Sequence, residues 1–389
     1  MKVALFSRSI YPRTGGSAFV TEQLACNFKR NEFFVVGGRD VFSTKVYSRS
    51  EILPVFYYLP SHASIKGRGE RFFSWLGIVL FPFNVWRGYC LLRQEKPSAI
   101  VGTFPDGYFL LLSLVLARIC KVPYFTYFHN TYVENRSGLN RKIALYIQQR
   151  VFDASRIIFL ISDGLKEFYE EHYPQVKRFE TLEHCFNESL PQRMEPEQRV
   201  NNKVWQVAFT GNFNHSNIDA TVRMVNVLKN MPDVRMNFYT PVPKALLALR
   251  GVNVSAIQYH GYLPADAYQH ELAKNDIMVL THGFWGGYSN VEYKTIFPTR
   301  TIELFRTGKP LFAHAPAESF LAKFLIRNEC AIVADKADEV QVAQQFRKLI
   351  ENEQLRQQVV KNAQQVLPVF NGSTVAAKLI DRICTFAPS

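Results

Sequence analysis

One stretch of the chain concentrates side chains and turns that could hold an anion: Tyr293-Lys294-Thr295-Ile296-Phe297-Pro298-Thr299-Arg300-Thr301-Ile302-Glu303-Leu304-Phe305-Arg306-Thr307-Gly308-Lys309-Pro310. Pro298 and Thr299 read as a helix start, Gly308 as its stop and Pro310 as the opening of a strand. Glu303 falls one turn beyond Thr299, on the same face. Backbone N–H groups at Thr299 and Arg300 could hold phosphate at the positive end of the helix dipole, with Lys294 or Arg300 neutralising it. Glu303 could then accept hydrogen bonds from both hydroxyls of a ribose. The competing reading is a surface helix with ordinary charges.

Two glycine turns offer related chemistry. Pro12-Arg13-Thr14-Gly15-Gly16-Ser17 follows the apolar run Val3–Ser7 and opens a helical pattern. Val207-Ala208-Phe209-Thr210-Gly211-Asn212-Phe213-Asn214-His215-Ser216-Asn217 repeats that arrangement later in the chain. Gly15, Gly16 and Gly211 would let backbone N–H groups approach an anion closely, with Asn212 and Asn214 beside them. A plain tight turn explains the first equally well, and simple helix capping explains the second. Neither is G-x-G-x-x-G, and the sequence has no G-x-x-x-x-G-K-[ST].

His129 closes the apolar run Pro123–Phe128 in Tyr127-Phe128-His129-Asn130. A histidine after a strand is either structural or, at a strand's carboxyl end, aimed at a ligand. No Asp-x-Asp and no His/Asp/Glu cluster has metal-ligand spacing, so no metal site is expected. No G-x-S-x-G or other nucleophile motif stands out. Charge on a leaving group would fall to backbone dipoles and Lys or Arg.

The elements that must position these residues alternate between short apolar runs and longer helical patterns. Strand candidates in the first half are Val3–Ser7, Phe33–Val36, Ile52–Tyr58, Ala99–Gly102, Pro123–Phe128 and Ile157–Ile161. A second series comprises Val204–Thr210, Val234–Tyr239, Ile277–Leu280, Pro310–Ala313 and Ala331–Ala334. Continuous hydrophobicity implies strands covered on both faces, as in parallel sheets. Helical patterns include Ala18–Arg30, Asn140–Phe152, Ile218–Lys229 and Glu339–Gln364, with a last helix near Thr374–Thr385. Asn187–Lys203 is polar and aperiodic, and reads as a linker. The expected fold is α/β: two doubly wound, Rossmann-like domains facing across a cleft, with the ligand at strand carboxyl ends. The expected boundaries are residues 1–186, a linker at 187–203, a second domain at 204–372, and a terminal helix at 373–389.

Of the 389 residues, 47% are hydrophobic and 20% charged, which excludes a disordered chain. The net charge of +13 is uneven: residues 1–150 hold 20 basic and 8 acidic side chains, or +12. An anionic partner for the first third is implied. The six scattered cysteines (Cys26, Cys90, Cys120, Cys185, Cys330 and Cys384) indicate neither zinc knuckle nor disulfide framework, fitting a reducing cytoplasm. The opening residues turn polar too soon for a secretion signal. Phe72–Trp86 is strongly apolar but is shorter than a span and contains Pro82. Lys66, Arg68 and Arg71 beside Phe72, Phe73 and Trp75 suit an anionic membrane surface, so Ser61–Trp86 is a candidate peripheral contact on the inner leaflet. A buried helix with a solvated basic loop fits the same residues. Nucleic acid is not an expected partner, since no helix-turn-helix, RRM or KH signature occurs.

Taken in order, these segments resemble the GT-B-type retaining glycosyltransferases, in particular family 4, which builds polysaccharides and glycolipids from nucleotide sugars. The resemblance spans nearly the whole chain. Besides the motifs above it includes Phe159-Leu160-Ile161-Ser162, His184-Cys185-Phe186-Asn187 and His260-Gly261-Tyr262. It implies that Gly15 and Gly16 abut the donor diphosphate, that His129 meets the donor sugar, that Tyr262 and Leu263 line the base pocket, that Glu303 binds the ribose, and that the terminal helix crosses back to the first domain. Two departures stand out. The family's sugar-contacting Glu, eight residues before the ribose Glu, is here Thr295. The Arg and Lys usual after the second glycine loop are missing, leaving Lys294 and Arg300 as substitutes.

The resemblance implies hexose transfer from a nucleotide sugar, UDP-glucose first, to a glycan or lipid-linked glycan. The reaction would retain configuration, need no cofactor and no metal, and take place on the cytoplasmic side. A sugar-nucleotide 2-epimerase of the same fold and a non-catalytic sugar-nucleotide binder are the alternatives.

Overall fold

The apolar runs become strands because they are shielded from water on both faces, and in β1, β4, β5 and β6 every residue is buried. The computed structural model describes residues 1–8, 10, 16–40, 55–61, 70–104, 106–187, 204–263, 265–284 and 291–386. Pro12–Gly15, the linker from residue 188, and residues 62–69 of the expected membrane segment therefore lie outside the described residues.

The first unit comprises Met1–Asn187 and Val369–Ser389. Its elements run β1 (Val3–Phe6), α1 (Gly16–Ala25), β2 (Phe33–Asp40), β3 (Val55–Ser61), α2 (Glu70–Glu95) and β4 (Ala99–Phe104). They continue through α3 (Gly107–Cys120), β5 (Tyr124–Phe128), α4 (Gly138–Ala154), β6 (Ile158–Leu160), α5 (Asp163–His172) and β7 (Phe179–Thr181). All seven strands are parallel in the order β3-β2-β1-β4-β5-β6-β7. Strand order reverses between β1 and β4. Helices α2, α3 and α4 all make crossovers in one direction, so right-handedness puts them in one layer on the same face. Asp106 starts α3 by accepting the Phe109 N–H at 3.0 Å.

The second unit, Glu188–Pro368, repeats the plan. It contains β8 (Trp205–Thr210), α6 (Ile218–Leu228), β9 (Val234–Tyr239), α7 (Lys244–Leu249), β10 (Ile257–Gly261), α8 (Ala265–Ala273) and β11 (Ile277–Thr281). Then follow α9 (Glu292–Thr295), α10 (Arg300–Arg306), β12 (Leu311–His314), α11 (Phe320–Arg327), β13 (Ile332–Ala334), α12 (Glu339–Glu351) and α13 (Glu353–Val366). The six strands are parallel in the order β10-β9-β8-β11-β12-β13, reversing between β8 and β11.

Two edge strands, β7 and β10, escape the sequence reading because each lies at a sheet margin with side chains only partly covered. The single helix expected over Glu339–Gln364 is two. Asn352 has extended backbone (φ −112°, ψ 100°) and its side chain caps α13 by accepting the Leu355 N–H at 2.9 Å.

The terminal helix α14 (Gly372–Cys384) packs its apolar stripe of Val375, Ala376, Leu379 and Ile383 into the first unit's core. Lys378 pairs with Glu183 at 2.9 Å and Arg382 with Glu180. At its start three segments converge. Gly372 N–H donates to Phe186 O at 2.9 Å, and Asn187 is hydrogen-bonded to both Gln23 and Asn27 of the α1 region. A Cβ on Gly372 would lie 2.1 Å from Asn187 Oδ1 and 2.5 Å from Asn27 Nδ2. Those two amides hold each other, so neither can yield without losing a partner. Gly372→Ala is expected to destabilise the protein by about 1–3 kcal/mol through overpacking. Chemical denaturation measures it, and an unchanged midpoint would show that the junction gives way freely.

Candidate functional site

In the second unit the central strands β8 and β11 lie side by side, and the reversal between them is where open α/β sheets bind ligands. Arg300, the first residue of α10, bridges their ends. Its Nη1 donates to Thr210 O at 2.9 Å and its Nη2 to Thr281 O at 3.0 Å. Gly211 follows β8 with φ +91°, and a Cβ there would lie 3.0 Å from Arg300 Nη1. Glycine is required both by the left-handed backbone and by the guanidinium. Burial lowers the Arg300 pKa, while Tyr268 and Glu303 oppose that shift. An arginine stays charged through such changes.

Glu303 stands in the first turn of α10, half-buried. Its carboxylate accepts a hydrogen bond from the phenol of Tyr268 on α8, whose pKa is raised by burial and then by the Glu303 charge. The structure thus joins Gly211, Arg300, Glu303 and Tyr268 around one strand end. Tyr268 is the member that sequence reading misses. Its partner lies 35 positions on in another helix, and no spacing rule links them.

α10 ends as expected: Gly308 has φ +67° and its N–H donates to Phe305 O at 3.1 Å. Thr299 precedes the helix, and its side chain makes no capping bond. The asparagines after Gly211 brace their own loop. Asn214 Oδ1 accepts from Ser216 N at 2.9 Å and Ser216 Oγ at 2.7 Å. Asn217 receives the Asn214 N–H at 2.9 Å and donates to the carbonyl of exposed Asn212 at 3.0 Å. These bonds brace the loop itself, and Asn217, which precedes α6, makes no side-chain capping bond.

Tyr262 is 70% exposed just after Gly261, whose φ is +76°, and Leu263 is half-buried beside it. Lys294 is exposed on α9, its ammonium 5.9 Å from the centroid of the Tyr293 ring. Thr295, at the place of the family's sugar-contacting Glu, is buried and donates its hydroxyl to Val291 O at 3.0 Å. It therefore turns into its own helix. At the end of β12, His314 accepts from Arg223 at 2.9 Å and donates Nδ1–H to Ala334 O at 2.8 Å. Burial lowers its pKa to about 4, fitting that neutral tautomer.

In the first unit, Gly16 opens α1, and an added Cβ would meet nothing within 4 Å. Arg8, just beyond β1, pairs with Asp106, just beyond β4, at 3.0 Å across that sheet's reversal point. His129 sits at the carboxyl end of β5. Its ring meets Tyr127 edge-on at 4.4 Å, and both ring nitrogens are buried without a hydrogen-bond partner. Burial, reinforced by nearby His184, lowers its pKa to about 3. His129 is therefore neutral at physiological pH, with one N–H donor and one acceptor to offer.

Two parallel Rossmann-like units of this topology constitute the GT-B fold. Solved structures of that fold superpose along nearly the whole chain. HepE from Anabaena, in complex with UDP and glucose, has a TM-score of 0.69 at 14% identity, covering 99% of this chain and 100% of its own. Sucrose-phosphate synthase from Thermosynechococcus elongatus has a TM-score of 0.70 at 14% identity, with 99% and 98% covered. The lipopolysaccharide outer core galactosyltransferase WaaB, in its apo form, has a TM-score of 0.65 at 12% identity, with 99% of each chain covered. No protein-family profile and no curated sequence matches the chain.

The His129 pKa fixes the sign of a pH effect. A folded-state value near 3, against 6.5 for the free side chain, means that the unfolded chain binds the proton more readily. His129 therefore contributes stability that is present above about pH 6.5 and is lost as pH falls towards 3, by up to about 1.4 kcal/mol per unit. His129→Gln should flatten the acid limb of stability against pH, measured by urea unfolding from neutral pH to pH 4. An unaltered slope would place the ring in contact with water.

Proposed function

We propose that this chain is a glycosyltransferase that moves a hexose from a nucleotide-sugar donor to a glycan or lipid-linked glycan in polysaccharide synthesis on the cytoplasmic side. The observation that carries the reading is the cluster at the β8–β11 reversal, with a carboxylate held by Tyr268 one turn from a guanidinium staple. The likeness to GT-B proteins solved with UDP and UDP-glucose supports a nucleotide diphosphate there, and a UDP-sugar is the preferred donor.

In this reading Glu303 takes the two ribose hydroxyls, and the Tyr268 phenol keeps that carboxylate aimed. Tyr262 and Leu263 border the base. Gly15, Gly16, Gly211, Asn212, Asn214 and Thr299 contribute donor contacts. Lys294 and Arg300 supply the positive field in which the departing nucleoside diphosphate gathers charge. Neutral His129 hydrogen-bonds a sugar hydroxyl through its unpaired ring nitrogens. The leaving phosphate accepts the acceptor's proton, and the new bond forms on the face that the nucleotide leaves, so configuration is retained. Thr295, folded into its own helix, takes no part in sugar contact.

A thermal-shift series with UDP-, GDP- and ADP-sugars identifies the donor, and incubation with that donor classifies the reaction. Free nucleoside diphosphate marks a transferase, an isomerised sugar nucleotide an epimerase, and an unchanged donor a binder. Glu303→Ala is expected to weaken nucleotide binding by about 1–3 kcal/mol through loss of charge-assisted hydrogen bonds. Tyr268→Phe should raise the donor KM severalfold while leaving kcat within about twofold, because it positions Glu303 without touching the reacting atoms. Titration calorimetry showing wild-type affinity in both variants would remove Glu303 from the site.

A further inference from the structure

The helix layer formed by α2, α3 and α4 should place its polar residues outward, since its inner face covers the sheet. Instead α2 is apolar nearly all round. Its buried side is explained: Asn84 donates to Pro60 O at 2.7 Å and to the Tyr108 hydroxyl at 2.8 Å, and Gly88 lets Leu116 of α3 approach closely. Its outward side is not. Ile78, Val79, Phe83, Trp86 and Tyr89 recur at helical spacing and are 65%, 68%, 43%, 61% and 36% exposed. On α4 the stripe Leu139, Ile143 and Tyr146 is 71%, 48% and 58% exposed. Because α2 packs on α3 and α3 on α4, both stripes belong to the same outward surface. An exposed apolar surface of this extent marks an interaction site.

The charge on this surface selects the occupant. Arg87 and Arg93 of α2, Arg118 of α3, and Arg141, Lys142 and Arg150 of α4 are all exposed. Between Gly77 and Gln94 there is no acidic residue, and α4 carries only Asp153, in its last turn. Two of the cations lean over aromatic rings of the same surface: Arg87 at 5.8 Å from the Phe83 centroid and Arg150 at 5.2 Å from that of Tyr146. Such pairs keep an apolar body and a charged tip at one level, which suits a water–lipid boundary. A second copy of the chain would bring six cations against six with almost no carboxylate between them. Anionic headgroups would neutralise them while acyl chains receive the apolar stripe.

We propose that the outward face of the α2–α3–α4 layer is a docking surface for an anionic bilayer. No described helix is long and apolar enough to cross a membrane, so the contact is peripheral. This surface lies on the first unit and does not depend on the glycosyl-transfer reading, because its test needs neither donor nor acceptor.

Flotation of the full-length protein with phosphatidylcholine vesicles, with and without phosphatidylglycerol, is the measurement. The protein should float with the anionic vesicles and much less with the neutral ones. Arg87→Glu with Arg150→Glu should weaken binding about fivefold or more per charge, and added salt should mimic that loss. Phe83→Ser with Trp86→Ser should abolish flotation while leaving the thermal midpoint near wild type, since both side chains are exposed. Flotation equal with both lipids, absent with both, or unchanged by the Phe83/Trp86 pair overturns the proposal. So does a concentration-dependent dimer in sedimentation that the same pair disperses, which would assign the surface to a second copy.

Discussion

The guanidinium of Arg300 lies against the carbonyl ends of two parallel strands, where the sheet has run out of N–H donors. A parallel sheet leaves such carbonyls at its carboxyl edge, and a buried one without a partner costs about 1–3 kcal/mol. Arg300 satisfies two at once, but it brings a charge out of water that must itself be balanced. Glu303, one turn further along the same helix, is the nearby opposite charge, and its carboxylate is in turn held by Tyr268. The position of α10 is thus fixed by the sheet edge, and the site's carboxylate is fixed by α10. Gly211 is a consequence of the same arrangement, because any side chain there would meet the guanidinium.

The first unit solves the equivalent problem differently. At its reversal point an ordinary ion pair, Arg8 with Asp106, ties the residues beyond β1 and β4, and Asp106 simultaneously starts α3. Beside it, at the end of β5, His129 has no partner for either ring nitrogen, although its ring is enclosed by protein. Burying an imidazole costs least when it is neutral, which is why its pKa falls so far. One unit therefore offers a fixed carboxylate and guanidinium, and the other an uncharged donor–acceptor ring.

How much of this was legible in the sequence depends on how far each constraint reaches along the chain. Gly211, Pro298, Gly308 and the one-turn offset of Glu303 follow local backbone rules, and the structure places each where those rules put it. Arg300 was legible as a cation in the right loop, but its bonds to Thr210 and Thr281 come from residues 90 and 19 positions away. Tyr268 and the Arg8–Asp106 pair are likewise tertiary and left no periodic signal. The edge strands β7 and β10 were missed for the opposite reason: a half-covered strand lacks the continuous apolar run that marked the central ones. At Asn352 a local cap signal was present, but it was outweighed by helical periodicity on either side.

The helix α2 shows the same limit from another side. Periodicity detects a helix's buried face only by contrast with its exposed one, and here both faces are apolar, so the sequence fitted a buried helix and a membrane surface equally. The structure shows which of the described positions are covered. Gly77, Asn84, Gly88 and Leu92 are buried, Phe81, Val85 and Leu91 pack partly against the core, and Ile78, Val79, Phe83 and Trp86 stand exposed. What the uncovered positions share is the pairing of large apolar side chains with arginine and the near absence of carboxylates. A surface kept apart from other proteins by solubility alone would show the reverse, with mixed charges interrupting the apolar residues.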